Sequence, residues 1–542
     1  MKRRPIDYDD KQWFTDGINL IDCDPGFPLG VMIDSMSSKE AMIKSVSDYM
    51  DFMCVDTRVT DMSFAIFMQT SFVDSETMGW VYRNVSDKID AWMVRKDEPG
   101  ALFPLEKRKA FIRYPEQYRA FVEHDVDWAQ IAVDECRKRG VRPWVHFRMN
   151  DLHDVDSDDG IFHDPFFFKA RENGWLNGRE EYGRPRGTSG WVKNLYEFSH
   201  PEVTEWLLTY IEEMMLRYDV FGYGLDFIRN IYCIDYLHAE PGYQKYLTEF
   251  MRRVNEIRKK AEAKHGHEIK LMACLAHTVE ANFIYGYDVK QWVEEGLIDM
   301  ISPRCEEVCN SGVNVSDWRE AIGDLPLIIG LDDHISRWAD AGAEYIYQVK
   351  PEHVKGYVSM YCNLGMDGVY YSNFYAPTQV RFGKDIDGET SNEGLRTVVI
   401  THEDIYPLGG YIPYAPLPID LAKCGGSVDL DMNIGMVKKG EYLYLTVGYD
   451  SEKGNDVSVT LDGRLPISVD AVPVIFNSIT GHYYDDDYNL MKSNTLLRYA
   501  FEDVCGNADL KIRFGCDDVD CNIVYVELSV TPEPLPIPES VE

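Results

Sequence analysis

Four short segments of this 542-residue chain end an apolar run in Asp, Asn or Arg: VRPWVHFRMND (141–151), FGYGLDFIRN (221–230), LPLIIGLDD (325–333) and MDGVYYSNF (366–374). A carboxylate held at such a position serves as a nucleophile, a base or a stabiliser of a cationic centre, and a second carboxyl serves as an acid. Asp226 in GYGLDFIR leads the candidates, with Arg229 three residues on, because a neighbouring cation favours the charged carboxylate. The alternative is an Asp–Arg bridge that only shapes the loop. Asn150, Asp151 and His153 in RMNDLHD form a second cluster, whose mixed donors and acceptors suit hydroxyl groups. A loop cap and a metal-ligand set are the other readings, although the run lacks the Gly and distal Glu of an EF-hand loop.

Asp332, with Asp333 and His334 behind it, ends the third of those segments, and Glu306 follows ISPRCEE's apolar start. Two carboxyls across a cleft would supply the acid and the nucleophile or base of glycosidic-bond cleavage, and their separation would set the stereochemistry. His277, Asn373 and Asp34, which closes GVMID (30–34), are further candidates for hydroxyl contacts. No metal site and no cofactor are expected. The chain has no GxGxxG, P-loop, HExxH or G-x-S-x-G, which removes the commonest nucleotide, zincin and α/β-hydrolase readings.

The elements that must position these residues alternate between strand and helix. Strands are expected at GVMID (30–34), MSFAIFMQ (62–69), VRPWVHFRM (141–149), FGYGLDF (221–227), EIKLMAC (268–274), IDMIS (298–302), LPLIIGL (325–331) and GVYYSN (368–373). One helix begins near Lys39. Another stops at Gly140 after ECRKR, with cations in its last turn. A third shows an S-x-x-E capping box at Ser199 and Glu202, with Pro201 in the first turn. Val203, Leu207, Tyr210, Ile211 and Met214 then recur at helical spacing and belong to a core face. Eight strands separated by helices predict an α/β fold, a (β/α)8 TIM barrel whose strand C-termini converge on one functional face.

Beyond about residue 400 the periodicity changes to two. EYLYLTVGY, DVSVTLDG, LKIRFG and NIVYVELSV alternate apolar and polar residues between turn formers, which predicts an antiparallel β-sandwich. The expected organisation is a barrel over 1–400 with long insertions after its second and third strands, a sandwich over 401–530, and a disordered acidic, Pro-rich tail over 531–542.

Composition narrows the class. Hydrophobic residues make up 45% and charged residues 27%, ordinary for a globular protein, and no apolar run is long enough to span a bilayer. The formal net charge of −36 argues against nucleic acid as a partner. Twelve scattered cysteines without ligand spacing fit buried thiols in a reducing cytoplasm, and MKRRPIDYDDKQWF carries no apolar segment of a secretory signal. Aromatics at 13% suit sugar faces and barrel cores alike.

VDTRVTDMSFAIFMQTSF, RMNDLHD, LYEFSHPEV, GYGLDFIR, GYDVKQWVEEGLIDMISP and GMDGVYYSNF together resemble the family-10-like glycosyl hydrolases, which are distinct from the xylanases of similar name. The resemblance covers about residues 28 to 375. It implies a (β/α)8 barrel acting on carbohydrate, often followed by a β-rich domain. It also implies that Asp226 and Arg229 occupy the family's strand-four signature and that Asn150, Asp151 and His153 line the mouth. One departure is IIGLDD, where the resemblance implies a Glu and this chain has Asp332. The expected activity is hydrolysis of an oligosaccharide or glycoconjugate, with Asp226 as nucleophile or base and Asp332 or Glu306 as acid. A carbohydrate-binding barrel without catalysis and a metal-dependent lyase or isomerase are the rival readings.

Overall fold

The computed structural model describes residues 5–24, 36–55, 57–78, 120–121, 123–151, 164–178, 194–228, 230–304, 309, 311–332, 334–336, 347–372, 393–400, 416–472, 495–506, 508–516 and 519–536. Contact density divides the chain into two units, Met1–Ser302 and Pro303–Glu542. Eight parallel strands alternate with helices in chain order, followed by two antiparallel sheets. The fold is therefore a (β/α)8 barrel followed by a β-sandwich, as the sequence predicts.

In the first unit the strands are β1 (Ile18–Cys23), β2 (Asp61–Met68), β3 (Arg142–Arg148), β4 (Gly222–Asp226), β5 (Lys270–Leu275) and β6 (Met300–Pro303). Their residues are almost all buried, as expected for parallel strands covered on both faces. The helices between them are α1 (Lys39–Cys54), α2 (Trp128–Lys138), α3 (Pro165–Asn173), α4 (Pro201–Arg217), α5 (Gln244–His265), α6 (Val279–Ile284) and α7 (Val289–Glu294). Ser38 caps α1 by accepting from the Ala41 N–H at 3.2 Å, and Asp127 caps α2 by accepting from Gln130 N–H at 3.1 Å. Gly140 follows α2 at φ +66°, the left-handed conformation that stops a helix.

Two local expectations change. The first described strand is Ile18–Cys23 (INLIDC), while GVMID (30–34), where the first strand was expected, lies outside the described residues. Leu20, Ile21, Asp22 and Cys23 pair in parallel with Asp61 to Phe64 of β2, and that pairing selects the strand. The capping box at Ser199 and Glu202 does not form, because α4 is capped at His200 without a side-chain bond. The Ser199 N–H instead donates to Glu197 Oε1 at 3.2 Å.

The second unit opens with β7 (Ile328–Leu331) and β8 (Gly368–Tyr371), parallel and in register, with α8 (Val315–Ile322) before them and α9 (Pro351–Leu364) between them. The antiparallel strands follow: β9 (Arg396–Val399), β10 (Ile419–Asp420), β11 (Ser427–Asn433), β12 (Tyr442–Tyr449), β13 (Ser458–Leu461), β14 (Ser468–Ala471), β15 (Thr495–Phe501), β16 (Asp509–Gly515) and β17 (Asn522–Thr531). One sheet has the order β9-β17-β12-β15-β14, with β10 added on β17, and the other has the order β11-β16-β13. In β16, Leu510, Ile512 and Phe514 are buried while Asp509, Lys511 and Arg513 are exposed, the alternation of a sheet with one core face.

The first sandwich strand starts four residues ahead of the expected boundary at 400, and it is packed closely on α9. A Cβ at Gly356 would stand 2.0 Å from the Thr397 carbonyl oxygen. The Tyr357 hydroxyl donates to Val399 O at 2.8 Å, and Ser359 Oγ donates to Ile434 O at 3.2 Å. Arg396, fully buried, donates to both Glu441 carboxylate oxygens at 2.9 Å. The tail expected to be disordered is anchored as far as it is described: Leu535 N donates to the Tyr444 hydroxyl at 3.1 Å, and Arg498 donates to Pro536 O at 3.0 Å.

Candidate functional site

The site is built by alternation along two neighbouring strands. Trp144, His146 and Arg148 of β3 pair in register with Gly222, Gly224 and Asp226 of β4. A Cβ at Gly222 would stand 2.3 Å from Trp144 Cζ3, and one at Gly224 would stand 2.9 Å from His146 Cβ and from Met272 Cε. The glycines thus leave the volume that the β3 side chains fill, and this facing set is the barrel interior. Tyr223 and Leu225 alternate to the other face, where the Tyr223 hydroxyl donates to Tyr218 O at 2.6 Å. At the C-terminal end of this ladder Asp226 is 1% exposed. Its Oδ1 accepts from the Ile228 N–H at 3.1 Å, and its carbonyl accepts from Met149 N–H at 2.9 Å.

Arg148, the register partner of Asp226, is the buried cation of this layer. Its Nη2 lies 2.7 Å from Asp24 Oδ2, and its Nη1 lies 4.0 Å from Asp151 Oδ2. Met68 Sδ lies 3.7 Å from the same Nη1. Gln69, just past β2, has φ +58°, a conformation uncommon outside glycine, and its amide donates to the Asp151 carbonyl. One layer deeper, His146 Nδ1 lies 3.2 Å from Asp22 Oδ1 and 2.9 Å from Ser63 Oγ. Asp22, Asp24, His146 and Arg148 are not among the site residues expected from the sequence. The i, i+2, i+4 spacing of Trp144, His146 and Arg148 was the available signal, since in a strand it puts all three on one face.

Asn150 does a different job from the one expected. Its Nδ2 donates to Tyr196 O at 3.0 Å and to Tyr232 O at 3.4 Å, while its Oδ1 accepts from Tyr196 N–H at 3.1 Å. Both amide ends serve backbone, so Asn150 staples the loop before α4 to the loop after β4 instead of presenting groups to a sugar. Two further bonds join the same loops: Phe198 N–H donates to Cys233 O at 2.8 Å, and Asp235 N–H donates to Glu197 Oε2 at 2.7 Å. Glu197 was not singled out from sequence, where nothing in its spacing distinguishes it. Burial pushes its carboxyl up to about 7. His277, past β5, is 3% exposed, and burial lowers its imidazole to about 4.

In the second unit, Asp332 follows β7 and is 1% exposed. Arg304 Nη1 lies 4.0 Å from its Oδ2 and donates to Ser372 Oγ at 2.9 Å. Gly330 makes room for the Arg304 stem, since a Cβ there would stand 2.3 Å from Arg304 Cβ. The guanidinium lies 5.5 Å from the centre of the Tyr370 ring. Cys309 Sγ donates to the Asp332 carbonyl at 3.1 Å.

Asp226, Asn150 and Asp151 therefore meet around the ends of β3 and β4, and Asp332 belongs to an Arg–Ser–Tyr cluster of its own unit. Glu306, Asp34, His153, Arg229 and Asn373 lie outside the described residues. Among the described residues no group of three or more His, Cys, Asp or Glu could hold a metal ion, and no helix is long and apolar enough to cross a membrane. Chemically, the first unit offers an ordered carboxylate at a strand end beside an acid-balanced guanidinium.

No protein-family model matches the sequence, and no curated protein matches it. Among solved structures the chain is similar to α-L-fucosidase isoenzyme 2 from Paenibacillus thiaminolyticus, at 12% identity over 69% of this chain and 48% of that one, with a TM-score of 0.38. The chain thus spans about half of that protein's length. It is also similar to the PgaB (BpsB) glycoside hydrolase domain from Bordetella bronchiseptica, at 10% identity over 66% and 94% of the two chains, TM-score 0.39. A third is the α-L-fucosidase AlfC from Lactobacillus casei, at 9% identity over 70% and 98%, TM-score 0.36.

Proposed function

We propose that this protein is a glycoside hydrolase acting on an oligosaccharide or glycoconjugate, with Asp226 as the nucleophile or base. The observation that supports it is the placement of Asp226. It is a buried carboxylate at the C-terminal end of a barrel strand, where barrel enzymes carry their chemistry. One of its oxygens is fixed by a backbone N–H, and Arg148 sits beside it in register. The candidate acid is Asp332, which follows β7, or Glu306. Asp151, His153, Arg229, His277, Asn373 and Asp34 are the proposed hydroxyl contacts. Eleven described cysteines, none in a disulfide, support a cytoplasmic location in this reading.

The test is turnover of 4-nitrophenyl glycosides and an oligosaccharide panel by wild type and by Asp226→Asn. The substitution keeps volume and removes the charge, so turnover should fall by roughly 10³-fold or more. Turnover near wild type would rule out the assignment. Asp332→Asn on the same substrate checks the acid: its loss should be smallest for substrates whose leaving group needs no proton.

A further inference from the structure

Beneath the layer of Arg148 and Asp226 the barrel interior is polar. Asp22, Ser63 and His146 are all buried, with His146 Nδ1 within reach of both partners. Barrel interiors are ordinarily filled by branched apolar side chains. A buried ionisable pair gains little stability once the removal of its groups from water is counted. Packing and stability alone do not explain the pair, and its geometry suggests what does.

Asp22 with His146 and Asp24 with Arg148 are two rungs of one ladder. Each joins an acid on or just after β1 to a basic group on β3, and the rungs are two residues apart on both sides. The strand between, β2, contributes only Ser63 and Ala65 at the deeper level, where Ser63 pairs with Asp22 and Ala65 with His146. Small side chains there let the lower rung span the gap. The missing side chain of Gly224 clears the other flank of His146. The lower rung thereby sets how far the end of β1 lies from the end of β3. That offset decides whether Asp24 meets Arg148.

We propose that His146, held by Asp22, is a positioning residue that fixes β1 against β3 and so places the Arg148 guanidinium in the layer of Asp226. Its consequence for turnover rests on the reading of Asp226 as the reacting carboxylate. Its consequence for Arg148 does not.

The experiment uses the full chain labelled with 15N-arginine, with the Arg148 side-chain resonance identified by its loss in Arg148→Lys. His146→Leu should move or broaden that resonance. His146→Asn, whose amide nitrogen overlies Nδ1, should restore it, and Ser63→Ala should leave it in place. Asp22→Asn, which keeps volume and removes charge, is the second variant and should move it if His146→Leu does not fold. On the 4-nitrophenyl glycoside that wild type cleaves, His146→Leu should lower kcat by about 10–100-fold with KM little changed, the size of effect that misplacement by an ångström produces. His146→Asn should recover most of it. An unmoved Arg148 resonance in the folded variants would overturn the proposal. Full turnover by Asp226→Asn would sink the reading of the reacting carboxylate and leave the resonance result standing, so the two failures are distinct.

Discussion

Trp144 occupies the space that Gly222 leaves empty: a Cβ on the glycine would stand 2.3 Å from the indole ring. The ring cannot retreat easily, because its Nε1 donates to Asp61 Oδ1 at 2.8 Å and the side chain is fully buried. Gly222→Ala should therefore destabilise the protein by about 1–3 kcal/mol through overpacking. Chemical denaturation checks this. Combining it with Trp144→Phe should recover part of the loss, whereas additive losses would mean the two side chains do not compete.

Asn150 gives a sharper contrast. Asn150→Ala leaves the Tyr196 N–H and carbonyl unpaired in a buried place and should cost roughly 3 kcal/mol. Asn150→Asp, closest in shape, should cost more, because a carboxylate oxygen would then face the Tyr196 and Tyr232 carbonyls. If Asp were better tolerated than Ala, the stapling role would be wrong.

Glu197 and His277 should oppose one another in their pH dependence. The Glu197 carboxyl titrates near 7 in the folded protein, above its ordinary 4.5, so between those values the folded state holds the extra proton and stability falls as pH rises. The His277 imidazole titrates near 4, below its ordinary 6.5, so between those values the unfolded state holds the extra proton and stability rises with pH. Each contribution amounts to about 3 kcal/mol across its window. Urea denaturation from pH 4.5 to 6.5 should show the two nearly cancelling. Glu197→Gln should make stability climb more steeply with pH there, and His277→Gln should make it climb less or fall.

Arg396 and Glu441 test the sandwich. Arg396→Leu leaves the half-buried Glu441 carboxylate without its fully buried guanidinium partner and should cost about 3 kcal/mol. Replacing both by Leu and Met should recover most of that, as read by thermal denaturation. A double variant no better than the single one would show that the pair itself holds the strands.

Seven of the barrel strands were legible because short apolar runs bounded by turn formers have few other uses. The first was not. INLIDC and GVMID are both short apolar runs with Asp near the end, and only pairing with β2 identifies the former as the strand that lies beside it. That choice moves the strand-end acids from Asp34 to Asp22 and Asp24. Asp226 could be read from its own segment, since alternation and strand end are local properties. The roles of Asn150 and Glu197 could not, because their partners at Tyr232 and Asp235 come from a loop some 40 to 80 residues away. Capping failed for a similar reason: Glu197 takes the Ser199 N–H that the motif assumes is unclaimed.

The contact of Gly356 with the Thr397 backbone bears on how this chain can be cut and recombined. A crossover near residue 400, the natural choice from the sequence, would keep β9 on its helix but part it from β17, its partner in the sheet. Any chimera that exchanges the β-rich half must inherit Pro351–Leu364 along with it. Lineages that swapped one without the other would have had to reinvent the seam.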